Sequence, residues 1–269
     1  MSSASVNLVP YLEFALAISH EAGATLLRMR ERAHFDVCSK GGFELVTTAD
    51  IEVDQLLRAR IGERWPDHMI LSEEGAAFAS AGSDPCWIID PLDGTANFAH
   101  GLDHVAISIA LSLGGDIVLG VVHAPFQSQT FHATLGGGAF RDGAPIKISS
   151  AVDPARALIA TGFPHDRRNI ERILDRLKPL LLMFGDIRRL AAPALDICWV
   201  ADGRLEGFFD RIRIWDVAAA GLIATEAGAK MARLTLHGGQ DASDGEDFLI
   251  ACPPIFDRLR SVLETGRAG

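Results

Sequence analysis

The chain has 269 residues, 48% of them hydrophobic and 22% charged, with a formal net charge of −10 and a pI of about 5.3. That length supports one large or two smaller globular units with a sizeable core, and the acidic balance argues against a nucleic-acid backbone as partner. Met1–Ser5 lacks the basic and apolar segments of a signal peptide, and the uncharged stretch His104–Gly115 is too short to cross a bilayer, so a cytoplasmic enzyme without a membrane partner is expected.

Cys38, Cys86, Cys198 and Cys252 are scattered, with no C-x-x-C and no zinc spacing, and each reads as a buried thiol in a reducing compartment. Pro10 opens a first helix whose apolar positions (Leu12, Ala15, Leu16, Ile18, Ala22, Leu26 and Leu27) form one stripe that fades at Arg28–Arg32. Lys40-Gly41-Gly42 marks a loop. Thr47-Thr48-Ala49-Asp50 then has the T-x-x-D form of a capping box, and a second helix runs through Ile51, Leu56, Leu57 and Ile61 to Trp65, where Pro66 closes it.

Met69–Leu71 reads as a short strand leading into Ser72-Glu73-Glu74-Gly75, and a loop over Ala79–Pro85 follows. Trp87-Ile88-Ile89 is an apolar, β-branched run typical of a buried strand. Asp90 and Asp93 come next, split by a proline that forbids a helix through Asp90. Gly94 frees the backbone, and Thr95 is placed to cap a short helix with bare amides.

Two apolar runs within Val105–Val122, joined by Gly114-Gly115-Asp116, predict a hairpin. Thr130–Phe140 contains a further strand and a triple glycine, Asp142-Gly143 a turn, and Ile146–Ile148 another strand. A soft boundary near Ala151-Val152-Asp153-Pro154 divides the chain into an α+β half (residues 1–150) and an alternating α/β half (residues 151–269). The second half reads as strand Ala157–Ala160, helix Ile170–Leu182, helix Leu195–Asp202, strand Gly207–Phe209, helix Val217–Ala227, strand Phe248–Ala251 and helix Ile255–Leu263.

Four segments thus place an acid at the end of an element: Asp50, Glu73, the pair Asp90 and Asp93, and Asp216 after Ile214-Trp215. Each has a plain local reading. Asp50 completes a capping box, Asp216 is a helix N-cap, Glu73-Glu74 is a solvated pair, and D-x-x-D is turn chemistry. Together they point elsewhere, because strand ends and helix starts converge on one edge of an open α/β site. Carboxylates gathered there repel one another unless cations such as Mg²⁺ occupy the site. Such cations would also activate water and neutralise a phosphate.

Trp87–Phe98 resembles the W-I-I-D-P-x-D-G-T-x-N-F signature of the inositol monophosphatase family, and Ile214–Gly221 its second signature. Leu45–Asp50, Leu71–Gly75, Gly120–Pro125 and Thr225–Gly228 match further family segments in the family's order. The resemblance implies a layered α-β-α-β-α sandwich of the inositol monophosphatase/fructose-1,6-bisphosphatase type, with two or three Mg²⁺ per site, lithium sensitivity and a homodimer. It also implies roles. Glu73, Asp90, Asp93 and Asp216, with the Leu92 carbonyl, would hold metal; Thr95 and Asp50 would orient and deprotonate the attacking water; the amides of Gly94 and Thr95 would cradle phosphate.

Departures from the pattern fall on the substrate side. Ala191-Ala192-Pro193-Ala194-Leu195-Asp196 replaces a G-[ST]-A-A-L-D-like segment, and Pro193 removes an amide donor and fixes φ. The segment before Trp215 is one residue shorter and lacks a glycine, leaving Asp210 as counterpart of a hydroxyl-binding Glu. Arg211 and Arg213 either form a solvated pair or meet a second anionic group. Glu44 and Gln129 are smaller departures.

The expected activity is hydrolysis of a small sugar-like phosphate such as inositol 1-phosphate, with histidinol phosphate as rival substrate. A catalytically idle binding or regulatory protein is the alternative of another class. A calcium module is disfavoured because no D-x-[DN]-x-[DN]-G loop is present.

Overall fold

A computed structural model describes residues 6–32, 35–41, 44–75, 84–150, 153–163, 170–234 and 245–265. Met1–Ser5, Gly42, most of the Ala79–Pro85 loop and Ala151-Val152 lie outside the described residues.

Helix α1 (Val9–Glu31) carries its proline in the first turn, where the missing N–H leaves no bond unmade. A hairpin, β1 (Val37–Gly41) and β2 (Glu44–Thr47), brings the chain to α2 (Thr48–Arg64). The capping box is present as read: Thr47 is the N-cap and Asp50 returns a bond to its amide. Next come β3 (Met69–Ser72), β4 (Cys86–Asp93), the short α3 (Thr95–Ala99), β5 (Ala106–Leu113), β6 (Asp116–Ala124), β7 (Gln129–Thr134), β8 (Gly138–Arg141) and β9 (Ala144–Pro145). These strands form a seven-stranded sheet in order β3 to β9, antiparallel except for the parallel β3–β4 pair.

The remaining elements are β10 (Leu158–Thr161), α4 (Ile170–Met183), β11 (Asp186–Arg188), α5 (Pro193–Ala201), β12 (Gly207–Ile212), α6 (Ile214–Glu226), β13 (Lys230–Leu234), β14 (Glu246–Ala251) and α7 (Pro253–Thr265). Their strands make a five-stranded mixed sheet in order β11-β10-β12-β14-β13.

Alternation along the strands sorts the core into layers. Trp87, Ile89, Ile107, Ile109 and Leu111 pack against α1 and α2. Ile88, Ala106, Ala110 and Val122 face the other way, onto α5 and α6 and through them onto Phe208, Phe248 and Ile250 of the second sheet. The far face of that sheet (Ile159, Phe209, Leu249 and Ala251) packs against α4 and α7. The result is the α-β-α-β-α sandwich expected from the resemblance.

Small residues set how closely α6 approaches the first sheet. A Cβ at Gly120 would lie 2.6 Å from the Ala219 carbonyl oxygen, so only glycine allows this contact. The Ser108 hydroxyl donates to the Trp215 carbonyl at 3.1 Å and ties the start of α6 to β5.

Several expectations need correction. β4 does not stop at Ile89 but continues through Pro91 to Asp93, with a register shift between Asp90 and Asp93 that absorbs the missing N–H. Ile146–Ile148 is not a strand: β9 ends at Pro145, and the Ile148 amide bonds Ala227 instead. Cys38 is exposed, whereas Cys86, Cys198 and Cys252 are buried.

Candidate active site

The ends of β3, β4 and α6 meet. The Glu73 amide donates to the Ile89 carbonyl at 3.3 Å, which holds the residue after β3 beside the end of β4. In the bulge of β4, Asp90 Oδ1 accepts from the Leu92 amide at 3.0 Å, turning its carboxylate back over the strand end. Asp93 Oδ2 accepts from the Leu195 amide at 3.1 Å, so a residue 102 positions away caps the start of α5. Asp216 is not the N-cap suggested by its position. Arg213 is, and Asp216 sits in the first turn with Oδ2 accepting from the Arg213 amide at 2.7 Å.

Asp90, Asp93 and Asp216 each place an oxygen within 4.8 Å of the others. Among the described residues the Arg213 guanidinium offsets this crowding in part, at Asp216. Burial raises the Asp90 carboxyl well above its ordinary range, and Glu73, Asp93 and Asp216 raise it further. Asp93 is raised likewise, by burial and then by Asp216. Burial first, then Glu73, pushes Asp216 up to about 7. Glu73 therefore lies within the field of all three. Close, mutually repelling oxygens, with Asp90 and Asp93 buried and Asp216 half-buried, suit a hard divalent cation.

Asp50 joins the site through Thr95. Its Oδ2 accepts from the Thr47 amide at 2.8 Å and the Thr47 hydroxyl at 2.6 Å, completing the capping box. That leaves Oδ1, which accepts from the Thr95 hydroxyl at 2.8 Å. The same hydroxyl lies 3.2 Å from the Leu92 carbonyl oxygen. Burial raises the Asp50 carboxyl, with the bonds from Thr47 and Thr95 opposing, which makes it a better proton acceptor once ionised. Asp50 thus completes its capping box and also bonds Thr95, joining the start of α2 to the start of α3. Thr95 is not a helix cap: Gly94 takes that position at φ 91° and ψ 40°, leaving the Thr95 hydroxyl free for Asp50. Gly94 is also wedged, since a Cβ there would lie 3.0 Å from the His104 carbonyl oxygen and 3.2 Å from Ala192 Cβ.

On the substrate side, Pro193 falls in the first turn of α5, where its missing amide leaves no helical bond unmade. The amide lost there is not one that α5 would use. Asp210, on β12, accepts from the Arg211 amide at 2.8 Å, and burial pushes its carboxyl up to about 7. It contributes to the raised Asp216, which places it beside the carboxylate cluster. Arg211 is no solvated arginine: its Nη1 lies 3.7 Å from Asp247 Oδ2, with both side chains largely buried.

One pair had no sequence signal. His104 Nε2 lies 2.7 Å from Asp196 Oδ1, linking the loop after α3 to α5. Asn97 completes that clamp, donating to the His104 and Leu190 carbonyls at 2.7 Å each. Only Asp196 stood in a recognisable segment; its partner is 92 residues away.

The family model described as "Inositol monophosphatase family" matches residues 7–259. A Vibrio cholerae protein named Nus factor SuhB is 33% identical over 263 residues, 96% of this chain and 98% of that protein. An inositol-1-monophosphatase of Rhizobium meliloti is 36% identical over 247 residues, 91% and 92% of the two chains. Among solved structures, the extragenic suppressor protein suhB from Bartonella henselae superposes with a TM-score of 0.88 at 31% identity, covering 96% of this chain and 100% of that one.

Proposed function

We propose that this chain, which belongs to the inositol monophosphatase family, is a Mg²⁺-dependent phosphomonoesterase acting on a small polyol phosphate of the inositol 1-phosphate type. The observation that carries this reading is the joining of two devices. Three carboxylates lie within 4.8 Å of one another, and beside them Thr95 donates to Asp50 at 2.8 Å.

Glu73, Asp90, Asp93, Asp216 and the Leu92 carbonyl would hold the cations. Bound there, Mg²⁺ supplies Lewis-acid charge to the phosphate, the attacking water and the leaving oxygen. The chain's own groups do the rest. The Thr95 hydroxyl, anchored on Asp50, orients a water, and Asp50 takes its proton. The amides of Gly94 and Thr95 face the phosphate, and Asp210 meets a hydroxyl of the alcohol. No side chain need act as covalent nucleophile, because water attacks phosphorus in line with the leaving oxygen.

Histidinol phosphate is the rival substrate. Relatives named Nus factor SuhB motivate a second reading, a regulatory protein without turnover. The Thr95–Asp50 bond supplies the pair that hydrolysis needs to orient and deprotonate a water, which favours the first reading. We further propose a cytoplasmic homodimer that binds neither nucleic acid nor membrane, in keeping with the net charge of −10. Phosphate release from inositol 1-phosphate, histidinol phosphate and fructose 1,6-bisphosphate, with Mg²⁺ and after chelation, tests the reading. Fastest release from inositol 1-phosphate, abolished by chelation, supports it; no Mg²⁺-dependent release from any of the three refutes it.

A further inference from the structure

Of the two arginines that the sequence offers to a second anionic group, one is ion-paired and the other acts on Asp216. Arg211 is paired with Asp247, and the guanidinium of Arg213 lies over the Trp215 ring, 5.8 Å from its centroid. A third arginine acts on the acids beside the site. Arg189 directly precedes Leu190, whose carbonyl is held by Asn97 of α3 at 2.7 Å. Two residues on, Ala191 turns at φ 65°, which lets α5 reach Asp93. The segment that carries Arg189 is thus tied to α3 and, through α5, to Asp93.

Its side chain is exposed, with the guanidinium carbon 5.9 Å from the Phe163 ring centroid. Among the described residues it forms no hydrogen bond and no ion pair. Two carboxylates feel its charge. Burial raises Asp196 and Asp210, and Arg189 pulls both back. Each is bonded to another donor, Asp196 to His104 at 2.7 Å and Asp210 to the Arg211 amide at 2.8 Å. Asp196 in turn acts on Asp93 and Asp210 on Asp216, so Arg189 stands near the trio with these two acids between.

Phe163 belongs to the same wall. It follows Gly162, where a Cβ would fall 1.8 Å from Asp210 Oδ2. The wall thus offers an aromatic ring, a carboxyl and a guanidinium whose donors have no partner among the described residues.

We infer that Arg189 is a specificity-determining residue that receives a second anionic group, phosphate or carboxylate, on the leaving alcohol of the ester. This rests on the hydrolytic reading above and extends its substrate class to polyol phosphates that carry a second anion. A planar guanidinium matches either anion through paired N–H donors, and it disfavours the ammonium of an amino-alcohol ester. Because the side chain is exposed, water screens the interaction, and a discrimination of about tenfold is expected rather than thousands.

The test compares kcat/KM of the full-length protein and its Arg189→Gln and Arg189→Lys variants in Mg²⁺. The esters are fructose 1,6-bisphosphate, 6-phosphogluconate, inositol 1-phosphate and histidinol phosphate. In Arg189→Gln, the ratio of either doubly anionic ester to inositol 1-phosphate falls about tenfold, mostly through KM. The ratio of histidinol phosphate to inositol 1-phosphate rises, and Arg189→Lys recovers part of the first loss. A fall for one doubly anionic ester alone names phosphate or carboxylate as the group received. Equal changes on all four esters, or none, overturn the assignment while leaving the phosphatase reading intact. A wild-type protein that releases phosphate from none of them overturns both.

Discussion

Asp216→Asn should stabilise the metal-free protein at neutral and higher pH, although it removes a proposed ligand. Burial and Glu73 push the Asp216 carboxyl up to about 7, whereas in the unfolded chain it titrates near ~3.9. The folded state therefore keeps a proton that the unfolded state has released, and stability is lost as pH rises from about 4 through about 7. Three pKa units correspond to about 4 kcal/mol. That is a ceiling, because Asp90 and Asp93 are raised in the same cluster and share the repulsion. Asparagine keeps an oxygen for the Arg213 amide, now bonded at 2.7 Å, so the helix start is not lost. Urea unfolding in excess chelator should show the variant more stable by about 2–4 kcal/mol at about pH 8, with the gain vanishing near pH 4. Added Mg²⁺ should reverse the order, since the wild type then gains more from binding. A variant no more stable than wild type in chelator at about pH 8 would mean that the carboxylates do not repel as described.

Asp50→Asn and Thr95→Ala should each lower turnover roughly a hundredfold or more without unfolding the protein, because they remove the proton acceptor or the hydroxyl that orients water; unchanged steady-state rates would exclude them from the chemistry. Gly162→Ala places a methyl 1.8 Å from Asp210 Oδ2 and must displace that carboxyl. Its KM for inositol 1-phosphate should rise roughly tenfold with kcat less affected, and an unaltered KM would remove Asp210 from substrate binding. Gly120→Ala sets a methyl 2.6 Å from the Ala219 carbonyl oxygen, which is backbone and cannot swing aside. A loss of about 1–3 kcal/mol is expected in urea titrations; no loss would show that α6 shifts freely on the sheet.

Much of the architecture could be read where one pattern dominated. The T-x-x-D box gave the start of α2, and the Gly114-Gly115 turn gave the β5–β6 hairpin, with both glycines at positive φ. β11 has only three residues, and β13 (Lys-Met-Ala-Arg-Leu) is an edge strand with one buried side chain, so neither carries an alternation that sequence can show. Ile146–Ile148 misled for the opposite reason. Its side chains pack on the core, but its backbone bonds are spent on Ala139 and Ala227 rather than in a ladder.

The acids of the site were legible because each ends an element inside a recognisable segment. Their partners were not. The Leu195 amide that holds Asp93 and the His104 that holds Asp196 are brought in by tertiary packing across about a hundred residues. Pro193 stands in the first turn of α5, where its missing N–H costs the helix nothing.

The central claim is that Asp90, Asp93 and Asp216 form one divalent-cation site. Anomalous diffraction from a crystal of the protein soaked in Mn²⁺, a scatterer with the same preference for carboxylate oxygens as Mg²⁺, tests it most directly. An anomalous peak bonded to oxygens of all three residues is expected. A well-ordered site with no peak there, or a peak held by other residues alone, would contradict it.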